Sequence, residues 1–167
     1  MTDLLSKLGM FLSVAGLVMS LITGVPRADD SGSSDLPGQT PSDYEVPDLD
    51  RQSELELIRN DVNLAIKHLR HEEGAPPVLM DPVNLQLHAQ RWAEHTAVTG
   101  RQDNSPQNVT MIQHSLPEAG ASGHAFVDAW LHSQAHTDVL LDERYTFYGI
   151  GVAVGHGRVW VAVQFSS

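Results

Sequence analysis

The sequence predicts an α+β domain whose helices come first and whose sheet is antiparallel. Two amphipathic helical patterns and a shorter third one occupy most of the region after residue 50. Two alternating apolar runs then close the chain, which is typical of a β-hairpin. This order lacks the strand–helix–strand alternation of parallel α/β folds, so we expect helices packed against an antiparallel sheet.

The first predicted helix begins at a capping box and carries one apolar stripe. In Ser53-Glu54-Leu55-Glu56, the serine can cap the amide of Glu56 while that glutamate reaches back. Apolar residues then recur at helical spacing, namely Leu55, Ile58, Val62, Ala65, Ile66 and Leu69. Gly74 and Pro76-Pro77 follow this stripe and are expected to end the helix.

A second helix is predicted from Asp81-Pro82 to Gly100, with the aspartate as cap and the proline in the first helical position. Its apolar face comprises Leu85, Ala89, Trp92, Ala93 and Thr96. Residues 101–108 lack periodicity and are expected to form a loop. The run 109–112 fits either a strand or a turn of helix, and His114 is assigned to a loop.

The last third of the chain predicts one helix and one hairpin. Ser122 opens a third helix that carries Phe126, Ala129 and Trp130. Two alternating sets follow, Tyr148, Ile150, Val152 and Val154 in the first and Val159, Val161, Val163 and Phe165 in the second. Gly155-His156-Gly157 joins these sets and is typical of a tight turn between paired strands.

The composition excludes several classes of protein. The chain has 167 residues, with 10 basic and 21 acidic side chains and a formal net charge of −11. We expect no nucleic-acid partner, because such binding depends on clustered Lys and Arg that neutralise phosphates. The chain contains no cysteine, which rules out disulfides, thiolate metal sites and cysteine nucleophiles.

Charge and hydropathy divide the chain into three predicted parts. Residues 1–27 contain an uncharged, mostly apolar run at 8–25 that is long enough to cross a bilayer as a helix. A good signal-peptidase site is missing after it, so we favour a retained membrane anchor over a cleaved signal, with the body outside. Residues 28–50 hold seven acids and no base and are expected to form a disordered linker. Residues 51–167 are expected to form the folded domain.

Several short motifs, taken in order, resemble a known family. They are Asn63 and Arg70 before Gly74-Ala75-Pro76-Pro77-Val78-Leu79, then Asp81-Pro82, Ala89-Gln90, Trp130-Leu131-His132-Ser133-Gln134-Ala135-His136, Tyr148-Gly149-Ile150-Gly151-Val152-Ala153 and Trp160-Val161-Ala162-Val163-Gln164-Phe165. This order resembles the CAP superfamily (cysteine-rich secretory, venom-allergen and pathogenesis-related proteins), most closely its short, cysteine-free bacterial branch of SCP domains. The resemblance covers about residues 54–166. It implies an α–β–α sandwich with a central antiparallel sheet and an extracytoplasmic location.

The resemblance also implies a cleft, and this sequence departs from the family there. The cleft of the family is lined by histidines and glutamates and binds a divalent metal in some members. Here the stretch 101–105 lacks the usual histidine, and the Gly-Glu-Asn signature is replaced by Pro106-Gln107-Asn108. A neutral amide is a poor ligand for a divalent cation, so we expect no cofactor. The expected cleft residues, which suit a neutral hydrogen-bonding ligand, are His136, Gln107, Asn108, Asp103 and Ser133.

Two chemical alternatives stay open at this point. His124, Asp128, His132 and His136 are spaced by four, so on one unbroken helix they would share a face and could hold zinc. A solvated polar stripe accounts for the same spacing if the helix is broken. Ser133, His136 and Asp103 contain the groups that a Ser/His hydrolase needs.

We therefore expect a secreted or membrane-anchored module, without enzymatic activity, that presents a degenerate cleft to a cell-envelope, lipid-like or protein ligand. The alternative is a hydrolase, either metal-assisted through His132, His136 and Asp128 or of the Ser/His type. A third interpretation is a purely structural domain with a vestigial cleft.

Overall fold

The computed structural model describes residues 43–81, 83–105 and 109–167. Within those residues the chain forms α1 (Leu49–Glu72), β1 (Leu79–Met80), α2 (Asn84–Thr99), β2 (Thr110–Pro117), α3 (Gly123–Leu131), α4 (Gln134–Leu141), β3 (Phe147–Gly155) and β4 (Arg158–Ser166). The α+β class that the sequence predicts is confirmed.

The strands form one sheet in the order β1-β3-β4-β2. β3 and β4 form the predicted hairpin around His156-Gly157, whose φ angles of 55° and 68° are typical of a two-residue type I′ turn. β2 pairs antiparallel with β4, so the ambiguous run at 109–112 leads into a strand. β1 pairs parallel with β3, and a two-residue strand after Pro76-Pro77 is too short to show periodicity in the sequence.

Alternation along β3 and β4 sends two sets of side chains to opposite faces of the sheet. One face packs against α1, α3 and α4 in the main core, which includes Val62, Ile66, Phe126, Trp130, Leu140, Ile150 and Val161. The other face packs against α2 in a smaller cluster formed by Ala93, Ala97, Ala153, Trp160 and Ala162. The sheet thus lies between two helical layers, and the α–β–α sandwich is confirmed.

α1 begins earlier than its capping box predicts. Asp48 is the N-cap residue, and its side chain accepts a hydrogen bond from the Arg51 amide at 2.9 Å. Ser53 lies inside the helix, where its hydroxyl donates to the Leu49 carbonyl at 2.9 Å. The Ser53–Glu56 pattern is therefore wrong as a helix start, because Asp48 provides an equivalent cap five residues upstream.

Part of the predicted linker 28–50 contacts the domain. Tyr44 is partly buried and packs against the small cluster under α2, and burial raises the pKa of its hydroxyl. The Val154 amide lies 3.5 Å from the Tyr44 hydroxyl oxygen. The predicted segments 1–27 and 28–42 lie outside the described residues, as does the apolar run 8–25. Within the described ranges, no helix is long and apolar enough to span a bilayer.

Two polar residues of α1 attach this helix to the far end of the chain. Asn63 Oδ1 accepts a hydrogen bond from the buried hydroxyl of Tyr148, and burial raises the pKa of that tyrosine to about 12. Arg70 is almost fully buried and donates to the carbonyl oxygens of Pro76 at 2.8 Å and Leu140 at 2.6 Å. These contacts connect α1, the turn before β1 and the end of α4.

α2 begins and ends close to the predicted positions. The Asp81 carboxylate accepts hydrogen bonds from the amides of Val83 at 2.9 Å and Asn84 at 3.1 Å, while Pro82 lies outside the described residues. Gly100 ends the helix in the left-handed region with a φ of 66°, a conformation that glycine adopts without strain.

Glycines in β3 let the backbone of α2 lie directly on the sheet. A Cβ atom at Gly151 would lie 1.9 Å from the Ala89 carbonyl oxygen, and one at Gly149 would lie 2.1 Å from the Leu85 carbonyl carbon. A Cβ atom at Gly155 would lie 2.2 Å from the Ala97 carbonyl oxygen. All three positions therefore exclude any side chain, because α2 cannot move away without separating from its cluster.

Glutamine side chains of α2 pair with the edge of β3 that β1 leaves open. The Gln86 amide accepts from the Ile150 N–H at 3.1 Å and donates to the Ile150 carbonyl at 2.6 Å. The Gln90 amide makes the same two bonds to Val152, both at 3.0 Å. These amides replace a neighbouring strand, so the backbone groups of β3 stay paired beyond the end of β1.

We predict that Gly151→Ala destabilises the fold by about 3 kcal/mol, because its methyl group would overlap the Ala89 carbonyl. Gly74→Ala is the control, since that site has open space and only a left-handed φ of 72°, which costs about 1 kcal/mol. Chemical unfolding measures both values. Amide hydrogen exchange at Ile150 and Val152 should accelerate in Gly151→Ala only, and unchanged protection there would contradict the close approach.

We also predict that Gln90→Met destabilises the domain by about 1–3 kcal/mol, because the N–H and carbonyl of Val152 lose their partner at similar side-chain volume. The matched control is Gln134→Met, whose exposed amide bonds only the Asp138 carboxylate. Exchange of the Val152 amide should increase in the first variant alone. Equal stability of the two variants would show that the glutamine does not hold this edge.

Candidate functional site

Two of the predicted cleft residues, Ser133 and His136, lie at the junction between α3 and α4. Ser122 caps α3 as predicted, with its hydroxyl accepting from the Ala125 amide at 3.2 Å. α3 ends at Leu131, and Ser133 adopts an extended conformation (φ −121°, ψ 117°) before α4 begins at Gln134. The helix that carries His124 and His132 is therefore not the helix that carries His136.

This break separates the four residues of the predicted zinc stripe. His124 and Asp128 line a groove of about 500 Å³ between α1 and α3, together with His68 and Glu72. His132 is exposed at the end of α3, and its Nδ1 lies 2.7 Å from the Asp128 carbonyl oxygen. Across the three described ranges, no three His, Asp or Glu side chains are grouped to hold a metal ion. The unbroken helix that the zinc alternative requires is not formed.

The groups of the hydrolase alternative are held by other contacts. The Ser133 carbonyl accepts hydrogen bonds from the backbone amides of His136 and Thr137, both at 3.0 Å, as in a helix first turn. The Asp103 carboxylate lies 3.7 Å from His95 Nε2 and 3.8 Å from an Arg101 nitrogen. Among the described residues, no hydrogen bond joins the side chains of Ser133, His136 and Asp103 into a triad. The remaining predicted cleft residues, Gln107 and Asn108, lie outside the described part of the chain.

The sequence analysis missed a second histidine of this region, His114. The loop assignment was wrong, because His114 lies in the middle of β2 opposite Val161. Its ring stands edge-on to Phe126 of α3, with centroids 6.4 Å apart and an interplanar angle of 82°. The alternation of Ile112, His114 and Leu116 was the available signal, and it places the imidazole on the α3 face of the sheet.

His114 is electrostatically coupled to His136. Partial burial lowers the pKa of His114 below its ordinary value, and the positive charges of Arg158 and His136 lower that pKa further. Both charged neighbours that act on this imidazole are therefore basic. These charges belong to residues of β2, α4 and β4, and the effect is a long-range one, since no direct contact among the three side chains is described within the three ranges.

Arg158 is fixed against the outer strand β2 by two hydrogen bonds to Ser115. Its Nε donates to the Ser115 hydroxyl at 3.0 Å and its Nη2 donates to the Ser115 carbonyl at 2.6 Å. Ser115 pairs with Trp160 on the α2 side of the sheet, so Ser115 and Arg158 lie on the opposite face from the His114 ring.

Several carboxylates around this region are engaged elsewhere. Glu118 pairs with Arg51 at 2.6 Å, and Asp142 pairs with Arg144 at 2.6 Å, which holds the pKa of Asp142 at about 2. Asp138 accepts from the Gln134 amide at 2.7 Å. These three carboxylates are therefore paired with side chains other than His114 and His136.

Comparison with known proteins gives one family and several similar structures. The sequence matches the family model described as CAP, cysteine-rich secretory protein family, over residues 65–165. None of the curated proteins matches the chain.

Three solved structures represent the structural similarity. The chain is similar to an outer surface protein from Borrelia burgdorferi, with a TM-score of 0.54 and 16% identity over 64% of this chain and 92% of that one. It is also similar to NaASP2 crystallised with Zn²⁺, with a TM-score of 0.51 and 10% identity. That match covers 77% of this chain and 84% of NaASP2. An extracellular protein with an SCP domain from Bacillus anthracis str. Ames gives a TM-score of 0.48 and 15% identity. That match covers 68% of this chain and 43% of the Bacillus protein. At these identities the likeness concerns the fold.

We predict that His136→Ala raises the pKa of His114, because the variant removes one of the two positive charges that oppose protonation of that imidazole. A pH titration of the His114 ring protons by NMR measures this change. His88→Ala is the control, since His88 lies on α2 in the opposite helical layer. Identical His114 titration curves in both variants would mean that His114 and His136 are not neighbours.

Proposed function

The chain belongs to the CAP family of cysteine-rich secretory proteins, and we propose that it is an extracytoplasmic binding module whose cleft around His136 engages a ligand of the cell envelope. The observation that carries the proposal is the helix break at Ser133, which places His136 on α4 and away from Asp128, and the electrostatic coupling of His136 to His114 on β2 is consistent with it. His114 follows the predicted cleft residues Gln107 and Asn108 in the sequence, and both His114 and His136 are partly exposed.

The chemistry of these residues supports binding more than catalysis. Imidazole and hydroxyl groups donate hydrogen bonds to a ligand, and the Gln107 and Asn108 amides of the expected cleft both donate and accept. A Ser/His hydrolase would need the Ser133 hydroxyl to meet the His136 ring. The contact observed between these residues is instead the backbone bond of a helix first turn.

The extracytoplasmic location rests on the family and on the amino-terminal sequence. The family is one of secretory proteins, and an outer surface protein is among the structures that this chain resembles. We propose that residues 8–25 either anchor the chain in the membrane or direct its secretion, and that the acidic residues 28–42 separate this segment from the domain. Either arrangement would place the cleft on the outer side of the membrane.

The proposal predicts ligand binding that depends on His136. The full chain is screened by thermal shift against soluble peptidoglycan fragments, dihexanoyl phospholipids and short-chain fatty acids. At least one probe should raise the melting temperature, and His136→Ala should weaken that response roughly tenfold in apparent affinity, because it removes a direct ligand contact.

His88→Ala again serves as the matched control and should respond like the parent chain. The binding proposal would be wrong if none of the probes stabilised the parent chain. It would also be wrong if His136→Ala and His88→Ala responded equally to every probe. Hydrolysis of an ester or peptide panel by the parent chain and its loss in His136→Ala would instead favour the hydrolase.

A further inference from the structure

β2 is an outer strand of the sheet and lacks the features that usually protect such a strand. It pairs with β4 on one side, and no strand of the described ranges pairs with its other side. Native proteins block further pairing at an edge strand with charged side chains, an internal proline or a bulge. The eight residues of β2 include no Asp, Glu, Lys or Arg, the proline comes last, and the register with β4 is uninterrupted.

The hairpin turn determines which backbone groups of β2 point outward. In a two-residue hairpin, the residues that flank the turn exchange both backbone hydrogen bonds, and here these are Gly155 and Arg158. The even-numbered residues of β4 therefore bond to β3 and the odd-numbered ones bond to β2. The register pairs those odd-numbered residues with even-numbered residues of β2. A bond of the same series joins the Glu118 amide to the Gly157 carbonyl at 3.2 Å.

The odd-numbered residues of β2 therefore direct their N–H and carbonyl groups away from the sheet. Within the described ranges, these groups of Met111 and Gln113 have no hydrogen-bond partner. The Ser115 carbonyl accepts from Arg158 Nη2 at 2.6 Å, which leaves one of its lone pairs available. Unpaired backbone groups along an extended strand are a template for another strand.

We propose that β2 of a second copy of this chain pairs antiparallel with this edge, so that two copies share one continuous sheet. In the twofold register, Gln113 faces the partner subunit's Gln113 and Met111 faces the partner subunit's Ser115. Each of these pairs joins residues whose backbone groups point outward. The contact uses the same surface on both copies, so it closes at a dimer. It is separate from the cleft around His136.

A second copy fits this edge better than an unstructured peptide does. Its β2 is already extended and held by β4, whereas a peptide would lose backbone entropy on becoming ordered. The Gln113 side chain also fixes the strand, since it accepts from Trp92 Nε1 at 3.2 Å and donates to the Asp103 carbonyl at 2.8 Å. Two acidic chains can meet here because no carboxylate of one β2 faces a carboxylate of the other.

The test is amide hydrogen exchange of the full chain at a series of protein concentrations, in a detergent that covers the apolar residues 8–25. Exchange at Met111 and Gln113 should slow roughly tenfold from the dilute to the concentrated sample. The Ile112 amide bonds to β4 and should be equally protected throughout. Fast exchange of the outward amides at every concentration would overturn the proposal. Equal protection at every concentration would also overturn it, because another part of the same chain would then cover the edge.

A matched pair of variants at one position separates the backbone from the side chain. Gln113→Pro removes an outward N–H and leaves the bonds between β2 and β4 in place. Gln113→Ala loses the same side-chain bonds to Trp92 and Asp103 but keeps that N–H. The concentration-dependent slowing at Met111 should disappear in Gln113→Pro and persist in Gln113→Ala. The same exchange behaviour in both variants would contradict the pairing.

A disulfide identifies the partner as a second copy. The chain has no cysteine, so any disulfide formed by Gln113→Cys joins two copies. Facing residues of a hydrogen-bonded pair have Cα atoms about 5.5 Å apart, which a disulfide can bridge. Gln113→Cys should therefore form a covalent dimer roughly tenfold faster than Gln134→Cys, whose site is exposed on α4. Association through any other surface would not favour position 113, and equal rates would overturn the twofold register.

Discussion

The direct contact between the backbone of α2 and strand β3 is the constraint on which the rest of the structure depends. The contact has no β3 side chain at three positions, which are Gly149, Gly151 and Gly155. Two glutamine side chains of α2 complete it, with Gln86 bonded to Ile150 and Gln90 bonded to Val152. Once β3 is fixed on α2, the tight turn at 156–157 fixes β4, and β4 fixes β2. The position of His114 on the outer strand β2 therefore depends, through the pairings of β3 with β4 and of β4 with β2, on the contact between α2 and the glycines of β3.

The cleft adds a second constraint, the extended residue between α3 and α4. With Ser133 in a helical conformation, His136 would continue the face of His124, Asp128 and His132. The extended backbone redirects the chain, so that α4 brings His136 towards β2 and leaves Asp128 facing the groove against α1. One residue thus decides whether His136 shares a helical face with Asp128 or lies on a separate helix. It also explains why a spacing of four, read without that break, indicates the wrong neighbours.

The sequence predicted the parts of the fold that depend on local periodicity. The sequence shows the apolar stripe from Leu55 to Leu69 and the alternating hairpin, because each pattern repeats within a few residues. It also shows the end of α2, because Gly100 is a local helix-ending signal. The start of α1 was misplaced because Asp48 and Ser53 are both good caps and only packing selects between them. β1 was not predicted because its two residues are too few to show a period. The strand around His114 was not predicted in full because the polar imidazole interrupts the apolar alternation of β2. Of the cleft, the motif resemblance provided His136 and Ser133, while the electrostatic coupling of His136 to His114 depends on the tertiary fold.

The glutamine-paired side of the sheet has a consequence for how copies of this protein meet. Side-chain amides and the Tyr44 hydroxyl occupy the backbone groups of β3 beyond β1, so another strand finds few free partners there. The opposite margin, β2, has only its Ser115 carbonyl taken by Arg158 among the described contacts of its outer backbone. A sheet that accepts neighbours on one margin alone stops growing after a single pairing. An extended fibril needs free backbone groups at both edges of the sheet, and in this fold the β3 edge is already paired with side chains.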